Sequence, residues 1–112
     1  MGSFDGFDGV NATLTVSDTA GNILYSNDKT KADADGKNTL IGANLLDCHP
    51  EPALTKLLGL MERQETNVYT IDKAGKKKLI YQTPWYEDGV YRGFIELSLV
   101  IPFEMPHFHR AG

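Results

Sequence analysis

Cys48 and His49 stand side by side in the run Asp47-Cys48-His49-Pro50, directly before an amphipathic stretch. A helix N-terminus lowers a thiol pKa and favours the reactive thiolate. An imidazole ring nitrogen can ligate haem iron. Together these residues nominate a haem or redox site. Adjacent residues point apart, so a Cys48/His49 chelate of one ion is poor geometry. The competing reading makes Cys48 a small buried hydrophobe and gives His49 a helix-capping or backbone-bonding role. His107 and His109 place two imidazoles on one side of an extended segment, but two ligands do not fill a zinc site. That segment reads as a surface tail. Asp33-Ala34-Asp35-Gly36 holds part of a calcium loop without the remaining ligands or the closing Glu, and reads as plain loop. No metal site is expected. With no nucleophile elbow and no phosphate loop, no catalytic residue is nominated and an enzyme is not expected.

The chain of 112 residues has 41% apolar and 23% charged residues, the composition of one soluble domain. A net charge of -4, with Lys76-Lys77-Lys78 as its one basic cluster, argues against direct nucleic-acid contact. That cluster reads as a solvated hairpin end. One cysteine cannot form an internal disulfide, and no apolar run approaches a leader or a membrane span. The expectation is a cytoplasmic protein without membrane contact. Met1-Gly2-Ser3 resembles an expression-tag remnant and is set aside.

These candidate residues need elements to position them. Residues 1–11 are rich in Gly and Asp and read as a flexible arm, although Phe4, Phe7 and Val10 could lay one turn on the core. Ala12–Ser17 alternates apolar and polar residues, as a half-buried strand does. Asp18–Asn22 is a turn, and Ile23–Ser26 completes a hairpin. Asn27–Asn38 is polar loop. Pro50–Met61 reads as a helix with Leu54, Leu57, Leu58 and Met61 on one stripe. Its first turn suits proline, and Asp47 is its candidate cap. Val68–Asp72, Lys78–Tyr86 and Val90–Ile101 are the remaining strands, joined by turns at Lys73–Lys76 and Glu87–Gly89.

The last hairpin allows a prediction of register. Tyr91, Gly93, Ile95, Leu97, Leu99 and Ile101 alternate onto one face, and Leu79, Tyr81, Thr83 and Trp85 onto one face of the preceding strand. A three-residue loop pairing Tyr86 with Val90 unites the two sets in an almost wholly apolar face. That face is expected to be the inner one. The other, with Ile80, Gln82, Tyr86, Arg92, Phe94 and Glu96, is expected to be outer and mixed. Gly93 in mid-strand leaves room beside its neighbours, for a ligand or for Trp85 or a helix Leu.

The stretches "DTAGNILYSN" (18–27), "LIGANLLDCHP" (40–50) and "DGVYRGFIELSL" (88–99) resemble, in order and spacing, the entry hairpin, pre-helix turn and closing strand of PAS sensor domains. The likeness covers residues 12–101. The Asp-Cys-His-Pro run, with "KKLIYQTPW" and "IPFEMPH", looks like a subgroup of small stand-alone bacterial PAS proteins. The resemblance implies an α+β fold: a five-stranded antiparallel sheet with helices packed on one face, spanning 12–101, and a tail at 102–112.

It also implies a non-catalytic sensory module holding a small organic ligand between the long helix and the sheet. Tyr25, Leu54, Leu57, Leu58, Met61, Tyr81, Trp85, Tyr91, Gly93 and Ile95 would line that pocket. The alternative is a dimerisation or interaction module with a filled core, using Ile80, Tyr86, Phe94 and Phe103 as its interface. A second alternative is a haem or redox sensor through Cys48 and His49. Haem-binding PAS domains, however, place their histidine within the long helix, and His49 precedes it. The flavin motif of light-sensing members is absent, and Ser26 and Thr30 stand where the yellow-chromophore relative carries its anchoring Tyr and Glu. No output domain follows Ile101, so a homodimer or a separate output protein, as in transcription regulation, would carry the signal. Any ligand should meet Leu54, Leu57, Leu58 or Met61 before Cys48 or His49.

Overall fold

The structure, a computed structural model, describes residues 10–28, 34–36 and 38–112. Most of the expected arm, with Phe4 and Phe7, and the centre of the polar segment, with Thr30 and Asp33, lie outside the described residues.

Strand β1 (Ala12–Ser17) and strand β2 (Ile23–Ser26) form the expected hairpin. Its turn is fixed by one carboxylate: Asp18 Oδ1 accepts from the backbone N–H of Ala20 at 3.0 Å and of Asn22 at 2.8 Å. Where β2 ends, Asn27 continues the pairing, its Oδ1 accepting from the Leu14 N–H at 2.6 Å. A side chain thereby replaces a ladder partner that would otherwise be missing from β1.

The segment after the polar loop docks on this hairpin. Ile23 N–H donates to Ala43 O at 2.8 Å, and Leu45 N–H donates to Gly21 O at 2.6 Å. Asn44 makes the junction, donating through Nδ2 to Ala20 O at 3.1 Å and accepting at Oδ1 from Leu46 N–H at 2.9 Å. That second bond caps a single 3-10 turn, Leu45–Cys48.

Helix α1 (Ala53–Arg63) follows. Asp47 is not its cap. Pro52 holds the cap position and has no side-chain bond to give, but Glu51 just before it accepts the Thr55 N–H at 2.7 Å. The helix presents Leu57, Leu60 and Met61 to the core, while Leu58 is 45% exposed and Leu54 is half-buried. The buried stripe is thus turned from the expected one by about one residue.

Strands β3 (Asn67–Lys73), β4 (Lys76–Glu87) and β5 (Val90–Ile101) complete an antiparallel sheet of order β2-β1-β5-β4-β3. The β4–β5 loop has two residues, not three: Glu87 pairs with Val90, and Asp88 and Gly89 both take positive φ. A bulge corrects the parity. Tyr86 pairs with Tyr91 but Trp85 pairs with Gly93, leaving Arg92 as the extra residue. Leu79, Tyr81, Thr83 and Trp85 therefore share a face with Gly93, Ile95, Leu97 and Leu99, as expected, while Tyr91 swings to the opposite face beside Tyr86.

The two faces are inverted relative to the sequence reading. Helix α1 lies over the mixed face. Phe94 is wholly buried there, with Ile23, Leu45, Leu57, Leu60 and Met61 around it, and Ile80 is buried as well. Burying each of these large side chains contributes about 2–3 kcal/mol. The nearly apolar face points the other way.

Candidate functional site

Two features of the sheet, one on each face, have the makings of a site. On the face away from the helix, which we term the open face, β1, β2 and β5 enclose a groove of about 470 Å³. Val10, Ala12, Leu14, Tyr25, Asn27, Leu97 and Leu99 line it. Paired residues share a face, so the open face can be read from the register. Leu14 pairs with Leu97, Leu97 with Tyr81, and Tyr81 with Val68. By the same register its charged strand positions lie at the ends, Asp72 and Lys77 at one and Glu87 at the other. Val68 and its partner Tyr81 on one side of the sheet are 49% and 40% exposed, and Tyr25 on the opposite edge strand is 45% exposed, large values for apolar and aromatic residues.

On the helix side a polar chain crosses the sheet. Asn67 Nδ2 donates to Gln82 Oε1 at 3.2 Å, and Gln82 Nε2 donates to Glu96 Oε2 at 2.8 Å. His49 Nε2 lies 3.3 Å from the same carboxylate oxygen, and His49 Nδ1 lies 2.8 Å from Leu45 O. Both partners of the imidazole are acceptors, so both ring nitrogens are asked to donate and the imidazolium is the matching form. The His49 pKa is accordingly raised, first by the Glu96 hydrogen bond, with burial opposing. Burial works against the Glu96 carboxylate, but the bonds from His49 and Gln82 outweigh it and its pKa is lowered. Tyr69 on β3 borders this chain. Burial and then the Glu96 charge raise its pKa, and Lys56 Nζ sits 5.7 Å from its ring centroid.

No family model and no curated protein matches the sequence. Solved structures do match. A sensory box sensor histidine kinase from Vibrio cholerae superposes with a TM-score of 0.62 at 16% identity, over 88% of this chain and 89% of that one. The Aer2 receptor from Vibrio cholerae, described as a dual PAS-heme oxygen sensor, gives 0.56 at 16% identity, over 85% and 98%. A domain of an HTR-like protein from Haloarcula marismortui gives 0.53 at 20% identity, over 82% and 99%. The chain has the fold of a PAS sensor domain.

Within this PAS fold the ten expected pocket residues do not converge. Leu57 and Met61 are packed in the core, Leu54 is half-buried beside them, and Leu58 faces out. Tyr25, Tyr81, Trp85, Gly93 and Ile95 belong to the open face, and Tyr91 pairs with Tyr86. Gly93 makes room for protein: a Cβ there would lie 1.8 Å from Ser17 O and 2.8 Å from Trp85 Nε1. The Trp85 indole N–H donates across it to Ser17 O at 2.9 Å. Of the four expected interface residues, Ile80 and Phe94 are buried under the helix, whereas Tyr86 and Phe103 are exposed.

Cys48 is exposed rather than buried, its Sγ 3.5 Å from Asn44 O. His49 bonds to backbone as expected, and with Glu96 on its other nitrogen it offers no free ring nitrogen to an iron. Cys48 and His49, as placed, therefore do not fit haem. Among the described residues no group of three His, Cys, Asp or Glu side chains could hold a metal ion, and no helix is long and apolar enough to cross a membrane. Sequence reasoning missed the Asn67–Gln82–Glu96–His49 chain. Its one sequence signal was Gln82 and Glu96 at alternate positions on the face shared with Phe94.

Proposed function

We propose that this chain is a non-catalytic sensory and signalling module that works as a homodimer joined through the open face of its sheet. One observation carries the reading: the face away from the helix is largely apolar by register and contains a groove of about 470 Å³. Exposed apolar patches of this kind mark interaction sites. The occupant most compatible with a face whose middle is uncharged is another such face, and a two-fold axis brings the same patch of each copy together. On the helix side, Phe94, Leu57 and Met61 fill the layer, which favours a filled core over a ligand held there. Output then passes to a separate protein.

Light scattering during size exclusion tests the reading. The expected wild-type species is a dimer, and Tyr25→Asp or Leu97→Asp should yield a folded monomer. A wild type that stays monomeric up to about millimolar concentration would sink it. The groove also falls in the volume range of small-molecule pockets. Native mass spectrometry of fresh protein separates that second reading, because a retained apolar ligand adds mass to a monomer that does not dimerise.

A further inference from the structure

The segment that follows β5 is exposed at every position from Pro102 to Gly112. It carries three large apolar side chains in water: Phe103 at 57%, Met105 at 57% and Phe108 at 70% exposure. The same molecule therefore has an apolar groove that the described residues leave open and an unburied apolar segment. They do not meet within one copy. Lys77 Nζ donates to Phe103 O at 3.3 Å, which directs the segment over β4. The groove lies on the other side of β5, between β1 and β2. The chain bends at Phe103 and Glu104; drawn out as an extended chain on docking, it would point Phe103 and Met105 the same way.

The segment is also suited to binding by side chains rather than by strand addition. Pro102 and Pro106 lack the N–H that a new ladder would need. Their fixed φ angles reduce the conformational freedom lost on docking. Eleven residues from Pro102 to Gly112 extend at most about 40 Å, enough to reach across an interface.

We propose that Phe103 and Met105 of one copy seat in the Leu97–Leu99 groove of a second copy, and that the second copy returns the same contact. This rests on the homodimer reading of the open face and names the element that fills its groove. The test uses the full chain with Phe103→Ser, Met105→Ser and Phe108→Ser together. These side chains are exposed, so the far-UV circular dichroism should be unchanged. Light scattering over a concentration series should show dimerisation weakened at least tenfold. A mixture of this variant with Tyr25→Asp should associate more tightly than either variant does alone, because one intact segment and one intact groove remain. A serine variant that dimerises like wild type, while Tyr25→Asp does not, would overturn the segment as occupant and leave the open face standing. A wild type that is monomeric throughout would overturn both.

Discussion

A methyl group on residue 93 would meet the Ser17 carbonyl oxygen at 1.8 Å, a backbone atom that cannot step aside. Gly93→Ala must therefore part β1 from β5 or displace Trp85. The expected cost is about 3 kcal/mol, read as a fall of roughly 10 °C in the thermal midpoint. Trp85→Phe keeps the ring but leaves Ser17 O without its donor, at about 1 kcal/mol in a urea titration. His49 and Glu96 set the pH response. His49 is raised above its ordinary 6.5, so its contribution is complete below that value and is lost as pH rises through the folded value. Glu96 is lowered below its ordinary 4.5, so its contribution is complete above that value and is lost as pH falls through the folded one. Stability should then be greatest between about pH 5 and 6.5 and decline on the alkaline side. His49→Gln should flatten that alkaline decline, worth about 1 kcal/mol, as pH rises above 6.5. An unaltered slope would mean that another group titrates there.

Helix α1 gives the clearest contrast between neighbours. Leu57 is 1% exposed and Leu58 is 45% exposed. Leu57→Ala should cost about 2–5 kcal/mol by chemical denaturation, and Leu58→Ala less than about 0.5. If the two costs were alike, the helix would be rolled toward the stripe expected from its leucine spacing. That spacing fits either roll, because Leu57 and Met61 belong to both stripes and only tertiary packing chooses between Leu58 and Leu60. The strands were far easier to read. β1, β2 and β5 begin and end where alternation and turn residues place them, since Asp18, Gly21, Asp88 and Gly89 interrupt the apolar pattern. The bulge at Arg92 was hidden, because an extra residue changes no composition and only the pairing reveals it. Asn44→Ala should cost about 1–2 kcal/mol, since one amide both caps the 3-10 turn and holds it to the hairpin.

The order of elements and the α+β class followed from pattern and resemblance, but the orientation of the sheet did not. The rule that the more apolar face turns inward assumes that one face meets water. Here the helix-side face accepts polar residues because Asn67, Gln82, Glu96 and His49 satisfy one another, which removes most of the penalty for burying them. The open face keeps its leucines, as the proposed dimer contact requires. The strand order β2-β1-β5-β4-β3 has one more outcome, for the birth of the chain. Leu14 pairs with Leu97, so β1 waits for a partner about eighty residues away. During synthesis the two early strands and then the β3–β4 pair emerge as separate two-stranded ribbons, which are marginal on their own. The strand made last enters at the centre and joins them. Until Ile101 is clear of the ribosome there are two fragments of a sheet, and a chain cut short within β5 would lose the middle of the molecule rather than its edge.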